Sequence, residues 1–149
     1  MDLDDFPEAG FGFPGPLRDR LVAAILSGAK TATSSLLLEY ELDSEPLPRA
    51  GDRRAVVDSG GRRVAAIEVT EVRVVRLGDV NLRHAIDEGE GDTSVAQWRT
   101  SHERFWHSAE TRAALGDPSF TVNDDTLVVA ERFRLAGQQR TDPGPASGM

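Results

Sequence analysis

A single lysine stands among the 17 basic residues of this chain, and it lies in the run Gly28-Ala-Lys30-Thr-Ala-Thr33. Lys30 and Thr33 would face opposite ways in an ideal strand, but in a tight turn residues i and i+3 nearly eclipse, so the segment must be turn-like at Lys30 for the two to share a side. A hydroxyl then comes within reach of an amine, and a desolvated lysine can take the proton from a threonine as it attacks a carbonyl. The same residues also read as a glycine helix stop followed by a threonine-rich strand start, and the sequence supports both readings. A phosphate-binding loop of the GxxxxGK[ST] type is excluded, because its glycine spacing is missing.

A second candidate is the loop Glu88-Gly-Glu-Gly-Asp92. Alternating carboxylates on glycines can supply a general acid or base, or hold a hydrated magnesium ion. The plainer reading is a solvated loop whose charge complements the dipole of the next helix. His102 and His107 resemble a zinc-helix motif but are one residue too far apart. Five helical steps put their imidazoles roughly 140° apart, so they cannot share a metal on one face. With no cysteine in the chain, thiol nucleophiles and cysteine-based metal sites are excluded as well. No serine has the GxSxG context of a hydrolase elbow. Trp98, Phe105 and Trp106 offer ring faces on which a base could stack, although core packing is the expected duty of at least two of them.

The elements that must position these groups follow from periodicity. Pro16 suits a first helical turn, and Leu17, Leu21 and Ile25 recur at four-residue spacing until Gly28, which predicts a helix over 16–27. Thr31 to Tyr40 reads as a strand, and the proline-rich stretch Ser44 to Ala50 breaks it. A strand from Gly51 through Val57, a turn at Asp58-Ser-Gly-Gly61 and a long β-branched run from Arg63 to Leu77 make a hairpin. The faces of that long run switch partway, which predicts a bend or bulge. A short helix is expected over Asn81–Glu88, a longer one over 94–114 capped by Ser94 and Gln97, and a last strand over Thr126–Leu135. Residues 1–15 read as an irregular arm tacked down by Phe6, Phe11 and Phe13, residues 16–136 as one domain, and residues 137–149 as a disordered tail. The class is α+β with a mainly antiparallel, curved sheet, and a small barrel with flanking helices is the natural closure.

Charge and hydropathy narrow the partners. A net charge of -8 over 149 residues repels long nucleic acid. Local arginine pairs, at Arg53 with Arg54 and at Arg62 with Arg63, still permit a nucleoside or a short strand. No apolar run reaches the roughly 18 residues of a membrane span, and the acidic start is unlike a signal peptide, so a cytoplasmic protein is expected.

In order along the chain, Ser27-Gly-Ala-Lys30-Thr-Ala-Thr33, the Leu36–Glu41 segment with Tyr40, Pro48-Arg-Ala-Gly-Asp52, Ile67-Glu-Val-Thr-Glu-Val72, Glu88-Gly-Glu-Gly-Asp92, Trp98-Arg-Thr-Ser-His102-Glu-Arg-Phe105 and Glu131-Arg-Phe-Arg134 resemble the ASCH (activating-signal-cointegrator homology) domain family over about residues 10–136. Where many ASCH motifs carry an arginine two residues after the threonine, this chain has Ser34-Ser35 following Thr33. The resemblance implies a PUA-like β-barrel associated with RNA and modified nucleosides. One branch of such proteins removes the acetyl group from N4-acetylcytidine without a cofactor, and there a lysine, a threonine and a glutamate carry catalysis. By motif these are Lys30, Thr33 and Glu88, with Glu90 two residues away as the exchange partner of Glu88. Tyr40, Trp98 and His102 are expected to line the substrate pocket. Another branch is described as metal-dependent ribonucleases, in which the acidic loop would hold a divalent ion. A third possibility is a non-catalytic binding module. The partner expected is a modified nucleoside or short single-stranded RNA, with no membrane and no DNA; oligomeric state is open. For Lys30 to act as a base, burial must lower its pKa more than a neighbouring carboxylate raises it; otherwise it works as a cation that stabilises an oxyanion.

Overall fold

The computed structural model describes residues 2–138. A short strand β1 (Glu8–Ala9) is followed by α1 (Pro16–Ser27), β2 (Ala32–Leu36), α2 (Leu37–Leu42), β3 (Arg53–Val57) and β4 (Arg63–Arg76). After these come α3 (Leu82–Asp87), α4 (Val95–Trp106), α5 (Ala109–Leu115) and β5 (Leu127–Gln138). The strands form one five-stranded sheet in the order β1-β3-β4-β5-β2. All neighbours are antiparallel except β1, which adds to β3 in parallel at the edge.

This is the expected α+β class, but the sheet is not closed into a barrel: β1 and β2 are its two edges. The side where a barrel would close is sealed by packing. Leu21, Val22 and Ile25 of α1, with Phe11 from the N-terminal arm, bury against Val56, Ala65, Ile67 and Phe133. The arm is therefore less irregular than its composition suggests, since it contributes both β1 and a core phenylalanine. Phe13 instead meets Phe105 of α4, ring centroids 5.7 Å apart and tilted by 31°.

The second face is covered by helices. Leu36, Leu77, Val80, Ala85, Trp98, Trp106, Val122 and Val128 make a separate core there. The predicted bend of the long strand is present: β4 shifts register against β5 between Ala66 and Ile67 and between Val69 and Glu71, which re-aims side chains and curves the sheet. The hairpin turn before β4 is tied by Asp58, whose Oδ1 accepts from the Gly60 and Arg62 amides at 2.9 Å each.

Three boundaries differ from the sequence reading. The strand predicted over Thr31–Tyr40 stops at Leu36, paired with Val128, and Leu37–Leu42 coils into α2, because Leu and Glu are good helix formers. The helix predicted over 94–114 is two helices, since Ser108 caps α5 by accepting from the Thr111 amide at 3.2 Å. Gly137 and Gln138, expected in a disordered tail, continue β5 opposite Ala66 and Ala65; the remainder of that tail lies outside the described residues. Among the described residues no helix is long and apolar enough to cross a membrane.

Candidate active site

Lys30 lies in the connection between α1 and β2. Gly28 takes the left-handed conformation (φ 86°) that ends α1, and the Lys30 amide then donates back to Ala24 O at 3.0 Å. The next residue fixes the turn to two other elements: the Thr31 amide donates to Asp87 O at the end of α3 (2.8 Å), and Thr31 O accepts from the Phe133 amide of β5 (3.0 Å). Arg132 completes this joint with an ion pair to Asp87 at 2.7 Å. A turn-like geometry at Lys30 is therefore enforced from three sides.

The Lys30 side chain runs inward and its side-chain exposure is 1%. Nζ donates to Ala32 O at 2.9 Å and to Glu88 O at 3.2 Å. Its third N–H faces two carboxylate oxygens, Glu88 Oε1 at 3.5 Å and Glu90 Oε2 at 3.9 Å. Both distances exceed hydrogen-bond length, so one donor of the buried ammonium is free for another acceptor. The Phe11 ring lies beneath it, 5.9 Å from Nζ to the centroid.

Glu88 is the hub. Asn81 caps α3 by accepting from the His84 amide, and the i,i+4 spacing then brings His84 onto the Glu88 carboxylate. Oε2 of Glu88 accepts from Ser34 Oγ (2.7 Å) and Trp98 Nε1 (2.8 Å) and meets His84 Nε2 at 3.0 Å. Oε1 faces His102 Nε2 at 3.1 Å. Burial alone would raise the pKa of this carboxyl, but the Lys30 ammonium and the hydrogen bonds from His102 and His84 hold it well below the ordinary carboxylate range. Such a group stays ionised and fully engaged, which suits an anchor and not a proton carrier.

His102 carries the complementary charge. Nδ1 lies 2.9 Å from the Trp98 carbonyl, which can only accept, and Nε2 faces a carboxylate. Both nitrogens must then donate, which defines an imidazolium. Burial works against that charge, and Glu88 and Glu90 together with the Trp98 carbonyl outweigh it, so the pKa rises. The ring stacks on Trp98 at 4.2 Å between centroids. His107 faces elsewhere and accepts from the Val122 amide, in agreement with the rejection of a shared zinc.

Glu90 is the exception in the cluster. Among the described residues it makes no hydrogen bond, its side chain is 23% exposed, and burial raises its pKa, with Glu88 and Asp92 adding to the rise against the pull of Lys30 and His102. Two carboxyls two residues apart are thus driven in opposite directions, the pattern that separates a fixed charge from an acid/base group. Gly89 between them has φ 72°, and a Cβ there would sit 2.6 Å from Ala29 O, so the acidic loop can dock on the lysine turn only through glycine.

One ligand atom from each of Glu88, Glu90 and His102 falls within 4.8 Å of the others, the spacing of a cation's ligands. A divalent ion does not fit these groups as they stand. Nδ1 of His102 on the Trp98 carbonyl would suit a ligating Nε2, but the Lys30 ammonium, 3.5 Å from Glu88 and 3.9 Å from Glu90, already occupies the charge-neutralising position between the two carboxylates.

The expected site residues therefore separate. Lys30, Glu88, Trp98 and His102 meet in one buried cluster. Thr33 does not join it. Ala32, Ser34 and Leu36 alternate with Thr33 and Ser35 along β2, and it is Ser34 that reaches Glu88. Thr33 faces the opposite side of the sheet. Tyr40, expected on a strand, stands on α2 with its phenol beside Ser35. Trp98 is 0% exposed with its N–H committed to Glu88, so it has no free face for a base; it packs with Trp106, as the core reading anticipated for at least two of the aromatics. Ser34 and His84 were missed as members of the cluster. The i,i+4 spacing of His84 and Glu88 on a predicted helix is the signal that points to His84.

The family model described as the ASCH domain matches residues 10–136. Among solved structures, the chain is similar to the ASCH domain from Lactobacillus crispatus JV V101, with 28% identity over 89% of this chain and 80% of that one and a TM-score of 0.77. It is likewise similar to a protein of Enterococcus faecalis V583, with 29% identity over 86% of this chain and 74% of that one and a TM-score of 0.74. No curated protein matches.

Proposed function

The chain belongs to the ASCH domain family, whose members are RNA-binding in kind, and from that premise we propose that it is a small amidohydrolase that removes an acyl group from a modified nucleoside such as N4-acetylcytidine. The observation that carries this reading is the free third N–H of the buried Lys30 ammonium beside the carboxyl of Glu90, which lies 3.9 Å from it and, among the described residues, makes no hydrogen bond. An acyl carbonyl oxygen that accepts from Lys30 gains a fixed cation where negative charge develops in a tetrahedral intermediate, and does so in a water-poor site. Glu90 as carboxylate takes a proton from a water that attacks the carbonyl carbon. The intermediate then collapses with cleavage of the C–N bond, and the proton on Glu90 passes to the leaving exocyclic nitrogen, giving a free acid and the amine.

In this assignment Lys30 is a cation and not a base: two N–H groups go to carbonyl oxygens and the third position faces the carboxylate oxygens of Glu88 and Glu90, which would repel a lone pair there. Glu88 positions Lys30 and His102. Thr33 contacts the substrate from the other sheet face and is not the nucleophile. The reaction is read as metal-free, supported by the ammonium that already serves both carboxylates. The ribonuclease alternative depends on a divalent ion and is disfavoured on the same ground.

Mass-spectrometric assay of N4-acetylcytidine with wild type, Lys30→Met and Glu90→Gln, each with and without chelator, tests the proposal. Wild-type turnover insensitive to chelator, reduced by a factor on the order of 10² to 10⁴ in either variant, is expected. Binding without turnover by wild type overturns it in favour of a non-catalytic module, and chelator-sensitive cleavage of single-stranded RNA overturns it in favour of the nuclease.

A further inference from the structure

The sheet face opposite the Glu88 network is only partly covered. The α1 helix packs on Val56, Ile67 and Phe133, and strand alternation places Arg54, Thr33, Ser35 and Glu131 farther along the same face. Thr33 and Glu131 are direct partners across the β2–β5 ladder, which sets their Cβ atoms about 5 Å apart. Tyr40 overhangs from α2, its phenol next to Ser35.

Glu131 is half-buried and, among the described residues, makes neither a hydrogen bond nor an ion pair. Burial raises its pKa; Arg54 lowers it, Asp52 raises it, and Lys30 lowers it. Geometry links this face to the buried cluster: Lys30 Nζ lies 5.9 Å from the Phe11 ring, and that ring packs at 5.9 Å on Phe133, which shares the face of Glu131 two residues along β5. A partly desolvated carboxyl with no partner of its own, framed by two hydroxyls and a phenol, is an acceptor awaiting a donor.

We infer that Thr33, Tyr40 and Glu131 form a nucleobase-binding shelf, in which Glu131 accepts a hydrogen bond from an exocyclic N–H on the base edge and thereby selects an amino- or acylamino-pyrimidine. This deepens the amidohydrolase reading and rests on it for the class of ligand. In this proposal a base edge bonded to Glu131 directs its exocyclic nitrogen, from which the acyl group leaves, toward the Lys30–Glu90 pair. Carboxylate recognition of a cytosine amino group follows the same donor-acceptor logic as in base reading generally. Glu131 is a specificity residue here and moves no proton.

The test is calorimetric binding of cytidine and of N4,N4-dimethylcytidine, which lacks the exocyclic N–H, to wild type, Glu131→Ala and Glu131→Gln. One hydrogen bond corresponds to roughly a tenfold preference. Wild type is expected to favour cytidine by about that factor, Glu131→Ala to lose the preference, and Glu131→Gln, which keeps a carbonyl acceptor, to retain much of it. Equal binding of the two nucleosides by wild type, binding of neither, or a preference unchanged in Glu131→Ala overturns the shelf whatever the hydrolysis assay gives. A preference that disappears in Glu131→Ala while wild type shows no turnover sustains the shelf and overturns the hydrolase alone.

Discussion

Glu88 and His102 hold each other charged: Oε1 of the one lies 3.1 Å from Nε2 of the other, and the opposite ring nitrogen is committed to the Trp98 carbonyl 2.9 Å away. A carboxylate and an imidazolium buried together need both to remain ionised, because loss of either proton state leaves an uncompensated charge among apolar side chains.

This pairing gives stability a defined pH dependence. The folded pKa of His102 lies above its ordinary 6.5, so the stability it contributes is fully present below pH 6.5 and is lost as pH rises through the folded value. Glu88 acts at the other end: its folded pKa lies far below the ordinary 4.5, so its contribution is present above pH 4.5 and is lost as pH falls through the folded value. Glu90, with a raised pKa, contributes stability that is present below pH 4.5 and is lost as pH rises through its folded value. Thermal melts should therefore show a maximum in mildly acid solution and a decline above pH 6.5. In His102→Gln the decline above pH 6.5 should flatten; an unchanged slope would show that His102 is neutral in the folded protein.

Glu88→Gln should be among the most destabilising single changes in the chain. The amide keeps one acceptor but turns an NH₂ toward Ser34, Trp98 and the two histidines, which are arranged as donors to oxygen, and it leaves the Lys30 charge without its buried partner. Removal of one member of a buried pair costs about 3–5 kcal/mol. Chemical denaturation would register this as a lower midpoint at unchanged slope.

Gly89→Ala probes the docking of the acidic loop. The added methyl meets Ala29 O at 2.6 Å and Lys30 Cα at 2.8 Å, on a backbone with φ 72°. Backbone atoms cannot move aside as a side-chain tip can, and the left-handed conformation adds about 1–2 kcal/mol. Loss of at least about 2 kcal/mol is expected, together with weaker coupling between Glu90 and Lys30. Gly91→Ala, where a Cβ meets nothing within 4 Å, should show the backbone strain alone and serves as the comparison.

Much of this arrangement was legible in the sequence. The glycine stop after Ile25, the lone Lys30, the bend in β4 and the acidic loop each follow from local rules, and the α+β class follows from their order. What was not legible depends on partners distant in the chain. Thr33 and Ser34 have equal claims as hydroxyls near Lys30, and only the pairing of β2 with β5 decides which of them faces Glu88. The Leu37–Leu42 segment carries no punctuation that separates a strand from a helix, so Tyr40 was expected on the wrong element. Barrel closure failed as an expectation because packing of α1 and Phe11 satisfies the apolar face without joining β1 to β2.

Thr33→Val separates substrate contact from nucleophilic attack. As a contact on the shelf, the hydroxyl contributes about one hydrogen bond, so KM should rise by roughly tenfold with turnover largely kept. A covalent role would instead abolish turnover and leave an acyl-enzyme detectable in wild type by intact-protein mass spectrometry.

Lys30→Arg is the sharpest probe of the lysine itself. Positive charge is retained, so a site that needs only a cation at long range would keep its function. The surroundings, however, are built for a compact ammonium: two carbonyl oxygens at 2.9 and 3.2 Å define its position, the side-chain exposure is 1%, and the Phe11 ring closes one side. A planar guanidinium is larger and presents its donors in a fixed fork, which cannot meet the Ala32 and Glu88 carbonyls while still directing an N–H at the point between Glu88 and Glu90. Overpacking of this kind costs about 1–3 kcal/mol, and the displaced donor should lower turnover of N4-acetylcytidine nearly as far as Lys30→Met does. If Lys30→Arg instead keeps more than about a tenth of wild-type turnover, transition-state stabilisation by a positioned N–H fails as the account of this lysine, and charge alone suffices.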